Sequence, residues 1–168
     1  MSGLAGLFKK QWRWYLVAIV IVVLDQWTKS LATAYLAYGR PFEVTAFFDL
    51  RLVWNQGAAF SFLSEAGGWQ RWFFLLISLL ASLLIACWWL PVQTRIWSIV
   101  GMTFVLGGAV GNLIDRAVLG YVIDFVSLHW QDRYFPAFNI ADSAITLGAI
   151  ALGVDWIILE PRDPDTEK

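Results

Sequence analysis

Charged side chains are absent from two long stretches of the chain, residues 72–92 and 96–114. A helix needs about 20 predominantly apolar residues to cross roughly 30 Å of hydrocarbon, so each stretch predicts a membrane span. Two more stretches have the same length but are interrupted. The first runs from about Trp12 to Leu36 and carries Asp25 and Lys29; the last runs from about Phe135 to Leu159 and carries Asp142 and Asp155. Trp12, Trp14, Trp69, Trp72, Trp88, Trp89, Trp97, Trp130 and Trp156 sit near the predicted span ends, as an interfacial aromatic belt would place them. Long buried helices of a soluble protein would not gather tryptophans there. The pattern predicts a single integral membrane domain over residues 1–168, with spans at about 12–36, 69–92, 96–116 and 136–159.

Four spans put both termini on one side. That side holds Lys9, Lys10, Arg13, Arg95, Arg162 and Lys168, against Arg40, Arg51, Arg71 and Arg133 on the other, so the positive charges favour cytoplasmic termini. Lys9-Lys10, the apolar run Trp14 to Leu24 and Ala32-Thr33-Ala34 imitate the three regions of a cleaved signal peptide. Asp25 and Lys29 are foreign to such a peptide, and cleavage would leave three spans with the inside charges reversed. The extracytoplasmic segment 37–68 contains a predicted strand, Phe47 to Trp54, and a turn at Asn55-Gln56-Gly57 where glycine can take positive φ. The expected fold class is membrane all-α with a small β element: four transmembrane helices, and a small extracytoplasmic β-sheet with a loop or helix between spans 1 and 2. The tail 160–168, with Pro161, Pro164 and mixed charge, reads as disordered and cytoplasmic.

Composition agrees with a membrane protein. Of 168 residues 59% are apolar and 15% charged, against about 45–50% and about 25% in soluble domains. Twelve basic and thirteen acidic side chains leave a net charge of -1, which excludes a basic field for nucleic acid. One cysteine, Cys87, and one histidine, His129, exclude an intramolecular disulfide and leave no His/Cys cluster for zinc.

Within such a membrane domain the ionisable residues need explaining, because each costs about 2.5–3.5 kcal/mol on insertion scales. Asp25 and Lys29 are four apart with the acid first, the favourable order for an intrahelical pair. Alternatively Lys29 points across the bundle to another carboxylate. The third span ends in Gly107-Gly108-Ala109-Val110-Gly111-Asn112-Leu113-Ile114-Asp115-Arg116. Gly107 and Gly111 form a small-residue face for a neighbouring helix. Asn112 and Arg116 share a face one turn apart, with Asp115 beside them. These three residues form either a buried polar cluster or an ordinary helix end at the headgroups.

Asp124 stands alone among apolar residues in Tyr121-Val122-Ile123-Asp124-Phe125-Val126, and Asp142 follows in Phe138-Asn139-Ile140-Ala141-Asp142-Ser143. If Pro136 starts the last helix, Asp142 lies one to two turns in, at a depth similar to Asp124. Paired carboxylates a few ångströms apart share one proton. The ionised member can take a proton from an attacking water while the protonated member binds the developing oxyanion, which is aspartic-protease chemistry. Asn139, three residues before Asp142, can orient that carboxylate or hold a substrate backbone. Other hydrolytic chemistries lack residues: there is no H-E-x-x-H, and no serine in a G-x-S-x-G elbow. His129 sits in a predicted loop facing the headgroups, and a serine–lysine pair would have to join Lys29 to Ser61, Ser64 or Ser143.

Five stretches taken together, Leu24-Asp25-Gln26-Trp27-Thr28-Lys29, Asn55-Gln56-Gly57-Ala58-Ala59-Phe60-Ser61, Gly111 to Arg116, Val122-Ile123-Asp124-Phe125 and Phe138 to Ser143, resemble the bacterial lipoprotein signal peptidases, or signal peptidase II. The resemblance implies an aspartic endopeptidase of the bacterial cytoplasmic (inner) membrane with its active site near the extracytoplasmic face. Such an enzyme removes signal peptides from prolipoproteins just before a diacylglyceryl-modified cysteine. By that match Asp124 and Asp142 are the catalytic pair. Asn112, Arg116 and Asn139 line the site, with Asn112 and Arg116 near the substrate backbone, while Asp115, Asp25, Lys29, Asn55, Gly57 and Ala141 shape or support it. The surface sheet and the loop around residues 55–64 would cradle the lipidated substrate. The implied partners are lipid-modified prolipoproteins, membrane lipids and globomycin-type inhibitors, with no metal or organic cofactor; the net charge leaves nucleic acid out, and a monomer is expected.

Two rival readings remain at this level. A proton-coupled transporter would use Asp25, Asp115 and Asp142 with Lys29 and Arg116 as a relay, but no inverted repeat is present and the chain is short. A non-catalytic assembly protein would use the Gly107/Gly111 face and have no need of Asp124.

Overall fold

The computed structural model of the chain describes residues 4–57 and 68–159. Ser61, Ser64, most of the loop at 55–64 and the tail 160–168 lie outside the described residues. Helix α1 (Leu4–Tyr35) leads into strands β1 (Pro41–Thr45) and β2 (Phe48–Asn55). Helix α2 (Trp69–Val92) contains a π-helical turn at Ile85–Trp89, and α3 (Ile96–Val118) follows. Strands β3 (Val122–Trp130) and β4 (Arg133–Tyr134) precede α4 (Ile140–Val154), which runs on into a π-helical turn, Asp155–Leu159. Among the described residues four helices are long and apolar enough to cross a membrane, the number that the sequence predicts. Eight of the nine span-end tryptophans are exposed, from Trp97 at 46% on α3 to Trp130 at 74% at the end of the sheet strand Val122–Trp130.

Helix α3 is the most buried of the four and occupies the middle of the bundle. Glycines let its neighbours approach to backbone contact. A Cβ at Gly107 would come 2.8 Å from Ile21 Cβ of α1, and one at Gly108 would collide with the Ala141 carbonyl and lie 2.7 Å from Ile145 Cγ1 of α4. Gly101 and Gly148 meet at the other end of the α3–α4 seam. The small-residue face predicted for Gly107 and Gly111 therefore packs against two helices, since a Cβ at Gly111 would meet both Asp25 of α1 and Ala141 of α4. Asp155, the deeper of the two acids of the last span, is tied at the opposite end of the bundle from the sheet. Arg95 Nε lies 3.1 Å from its Oδ1 and the Ser98 hydroxyl donates to its Oδ2.

The sheet is antiparallel, in the order β1-β2-β3-β4, and sits at the bundle end where α1 and α3 finish and α2 and α4 begin. Leu52, Ile123 and Phe125 bury against Ala32 of α1 and Leu36 just beyond its end, which fixes the sheet to the helices. Leu50 pairs with Val126 but Val53 pairs with Asp124, so Arg51 and Leu52 together stand opposite Phe125 in a β-bulge. An extra residue of this kind re-aims the side chains beyond it. Past the bulge, Val53 lies opposite Asp124, and Asn55, two residues on and so on the same face, reaches the Asp124 side chain.

Several sequence expectations are corrected. The last helix begins at Ile140 and not near Pro136, because Phe138 is extended and exchanges backbone hydrogen bonds with Val126. Asn139 then caps the helix, its side chain accepting from the Asp142 N–H at 2.8 Å, so Asp142 stands in the first turn. The third helix extends to Val118. Gly57 is not one of the described glycines with positive φ, which are Gly39, Gly68 and Gly120; its N–H instead donates to Asn55 Oδ1 at 3.0 Å. His129 belongs to β3, its ring stacked on Tyr134 and its Nε2 3.3 Å from Asp49 Oδ2, and is not in a loop facing headgroups.

Candidate active site

Lys29 is 1% exposed and satisfies both readings that its position allowed. Its Nζ lies 2.8 Å from Asp25 Oδ2 one turn back and 2.9 Å from Asp115 Oδ2 across the bundle. It also donates to Asn112 Oδ1 at 3.0 Å. One ammonium with three oxygen partners offsets a desolvation that a single pair would meet poorly. The remaining oxygens are spoken for as well. Ala141 N–H donates to Asp25 Oδ1 at 2.9 Å and Gln26 Nε2 to Asp115 Oδ1 at 2.9 Å, while Ile123 N–H shares Asp115 Oδ2 with Lys29 at 3.1 Å. This network locks α1, α3, the start of α4 and the start of β3 to one another. Asp115 and Arg116, at 2% and 8% exposure, are thus part of a buried cluster and not of a solvated helix end.

Asn112 carries the network to the carboxylate pair. With its Oδ1 held by Lys29, its Nδ2 points at α4 and donates to Asp142 Oδ1 at 2.7 Å. Asn139 joins the two acids. Its Oδ1 accepts from the Asp142 N–H while its Nδ2 donates to Asp124 Oδ1 at 2.7 Å. Asn55 Nδ2 donates to the other Asp124 oxygen at 2.9 Å. Arg116 Nη2 donates to the Gly57 carbonyl at 3.1 Å, and its guanidinium lies over the Phe74 ring at 5.5 Å. All eleven residues singled out from the sequence, Asp124, Asp142, Asn112, Arg116, Asn139, Asp115, Asp25, Lys29, Asn55, Gly57 and Ala141, fall into this one contact network.

The two acids differ in setting. Asp124 is 1% exposed, whereas Asp142 is only partly buried and lines two recesses. One, of about 420 Å³, runs along Pro136, Phe138, Thr146 and Leu147; the other, of about 320 Å³, descends between α2, α3 and α4 past Phe74, Ala81, Val105 and Arg116. Burial pushes the Asp124 carboxyl from an ordinary 3.8 up to about 7, and the charge of Asp142 adds to the rise. The Asn55 and Asn139 donors and the Lys29 ammonium oppose it. Such a pair can hold one proton near neutrality and present an acid and a base to a molecule in the recesses.

Gln26, Phe74 and Arg71 are contacts that the sequence reading did not single out. Gln26 had a signal, being next to Asp25 in a costly polar turn of a membrane helix. Phe74 and Arg71 are ordinary residues at a span start and had none.

The family model described as signal peptidase (SPase) II matches residues 17–158. The lipoprotein signal peptidase of Acinetobacter baumannii is 47% identical over 164 residues, covering 97% of this chain and 93% of that protein. That of Pseudomonas aeruginosa is 46% identical over 145 residues, covering 84% and 86%. A bacterial membrane enzyme solved by the in meso method at 2.3 Å resolution superimposes with a TM-score of 0.75 at 30% identity, over 90% of this chain and 93% of that one. Fold and matches together define a multi-pass membrane peptidase of the aspartic class. Within that class the chain belongs to the signal peptidase II family, the lipoprotein signal peptidases.

Proposed function

We propose that the chain removes signal peptides from diacylglyceryl-modified prolipoproteins, cutting just before the lipidated cysteine, with Asp124 and Asp142 as the catalytic pair. The observation that carries the reading is the bridging of the two acids by Asn139, at the mouth of two apolar recesses. Asp124, more deeply buried and raised to about 7, holds the shared proton near neutrality. Asp142, on the recess wall, takes a proton from water as the water attacks the scissile carbonyl. The Asp124 hydroxyl then hydrogen-bonds the oxygen that gains charge, and the proton gathered on Asp142 passes to the leaving amine. Asn112 and Arg116 bind the substrate near the scissile bond, while Asn139, Asn55 and the Lys29 network hold the carboxylates in register.

A substrate with an acyl-bearing cysteine on one side of the cut and an apolar signal helix on the other suits two recesses that meet at Asp142. The sheet end of the bundle is extracytoplasmic in this reading, with both termini cytoplasmic in the bacterial inner membrane, supported by the excess of basic residues at the other end. Globomycin-type inhibitors would bind the same recesses, and the monomer is the active unit. The test is cleavage of one prolipoprotein, with and without its diacylglyceryl group, by the purified protein. Cutting of the lipidated form alone supports the reading; equal cutting of both removes the lipid from it.

A further inference from the structure

The last four carbonyls of a helix have no partner within it. In α3 these belong to residues 115–118. Leu119 and Gly120 donate to the Asp115 carbonyl at 2.7 and 3.2 Å. The next two are taken by one side chain from another helix: Arg71 of α2 donates from Nε to the Arg116 carbonyl at 3.2 Å and from Nη2 to the Ala117 carbonyl at 3.2 Å. A guanidinium there also meets the negative end of the helix dipole. Gly120 leaves the seat open. Its φ is +88°, and a Cβ at that position would stand 3.0 Å from Arg71 Nη1 and 3.1 Å from Cζ. One turn further along the same face of α2, Phe74 lies against the Arg116 guanidinium. Helix α2 therefore grips Arg116 twice, Arg71 by its main chain and Phe74 by its side chain.

We propose that Arg71 is a positioning residue, whose two-pronged hold on the end of α3 sets the direction in which the Arg116 guanidinium is presented to the substrate. The inference rests on Arg116 being a substrate-binding residue. A lysine at position 71 would keep the charge and lose the fork that spans two successive carbonyls. A plain helix cap would make a different prediction: its loss would lower stability and act on catalysis independently of Arg116.

A double-mutant cycle separates the two, with kcat and KM measured on a diacylglyceryl peptide for wild type, Arg71→Ala, Arg116→Ala and the double variant, and thermal unfolding in detergent followed alongside. Arg71→Ala is expected to raise KM about tenfold and leave kcat within about twofold, and the double variant to match Arg116→Ala within about twofold. Arg71→Lys should fall between wild type and Arg71→Ala, and it replaces Arg71→Ala in the cycle if the alanine variant does not fold. An unchanged KM in a folded Arg71 variant, or losses that multiply in the double variant, overturns the inference. Arg116→Ala with wild-type turnover overturns both this inference and the role of Arg116. Loss in Arg116→Ala without any Arg71 effect overturns the inference alone.

Discussion

Asn55→Ala removes the amide that donates to Asp124 Oδ2 at 2.9 Å and leaves the Asn139 donor on Oδ1 in place. The lost bond favours the ionised carboxylate, so its removal pushes the Asp124 carboxyl further up from about 7. Hydrogen bonds to charged groups contribute about 1.5–3 kcal/mol. Asn55 is only partly buried, so water can replace part of the bond and the lower end applies. At 1.36 kcal/mol per unit, that is about one pH unit. The assay is kcat/KM against pH from about 5 to 9 on a lipidated peptide, in detergent or bicelles, which reports the free enzyme's acid and base. Wild-type activity should fall on the alkaline side with an apparent pKa of about 7, where the pair loses its shared proton. In Asn55→Ala that limb should move up by about one unit, whatever happens to the maximal rate. A limb that stays put or moves to lower pH would refute Asp124 as the holder of the proton.

Lys29→Met leaves Asp25 and Asp115 buried without their cation, which should destabilise the folded bundle by about 3–5 kcal/mol. Arg40→Ala at an exposed position should change stability by no more than about 0.5 kcal/mol, and thermal unfolding in detergent compares the two. Gly108→Ala puts a methyl into the Ala141 carbonyl and drives α4 away from α3. It should cost about 1–3 kcal/mol and lower kcat, because Asn112 and Asp142 bridge the same seam. Normal kcat in that variant would show that the seam does not set the carboxylate geometry.

The four spans were legible because hydrocarbon thickness acts on sequence directly, through uncharged runs and tryptophan ends. The polar cluster was half legible. Asp25 and Lys29 announced each other by their spacing, but the third partner, Asp115, is more than eighty residues away and only the fold brings it near. The start of the last helix was misplaced although its signal was present: Asn139 with an acid three residues on is a capping pattern. Pro136 looked like a first helical residue, but the backbone pairing of Phe138 with Val126 overrides it. The bulge at Arg51–Leu52, which lets Asn55 reach Asp124, has no local sequence cause. The Arg71 seat over Gly120 likewise exists only between helices.

Hydrolysis by Asp124 and Asp142 stands or falls on the turnover of Asp124→Asn and Asp142→Asn. Each purified variant is given the lipidated prolipoprotein beside wild type, with membrane insertion and thermal unfolding checked in parallel. Both folded variants should lose cleavage by at least about a thousandfold, since neither asparagine can exchange the proton that the pair shares. Substantial cleavage by either one would rule out the two aspartates as the catalytic pair.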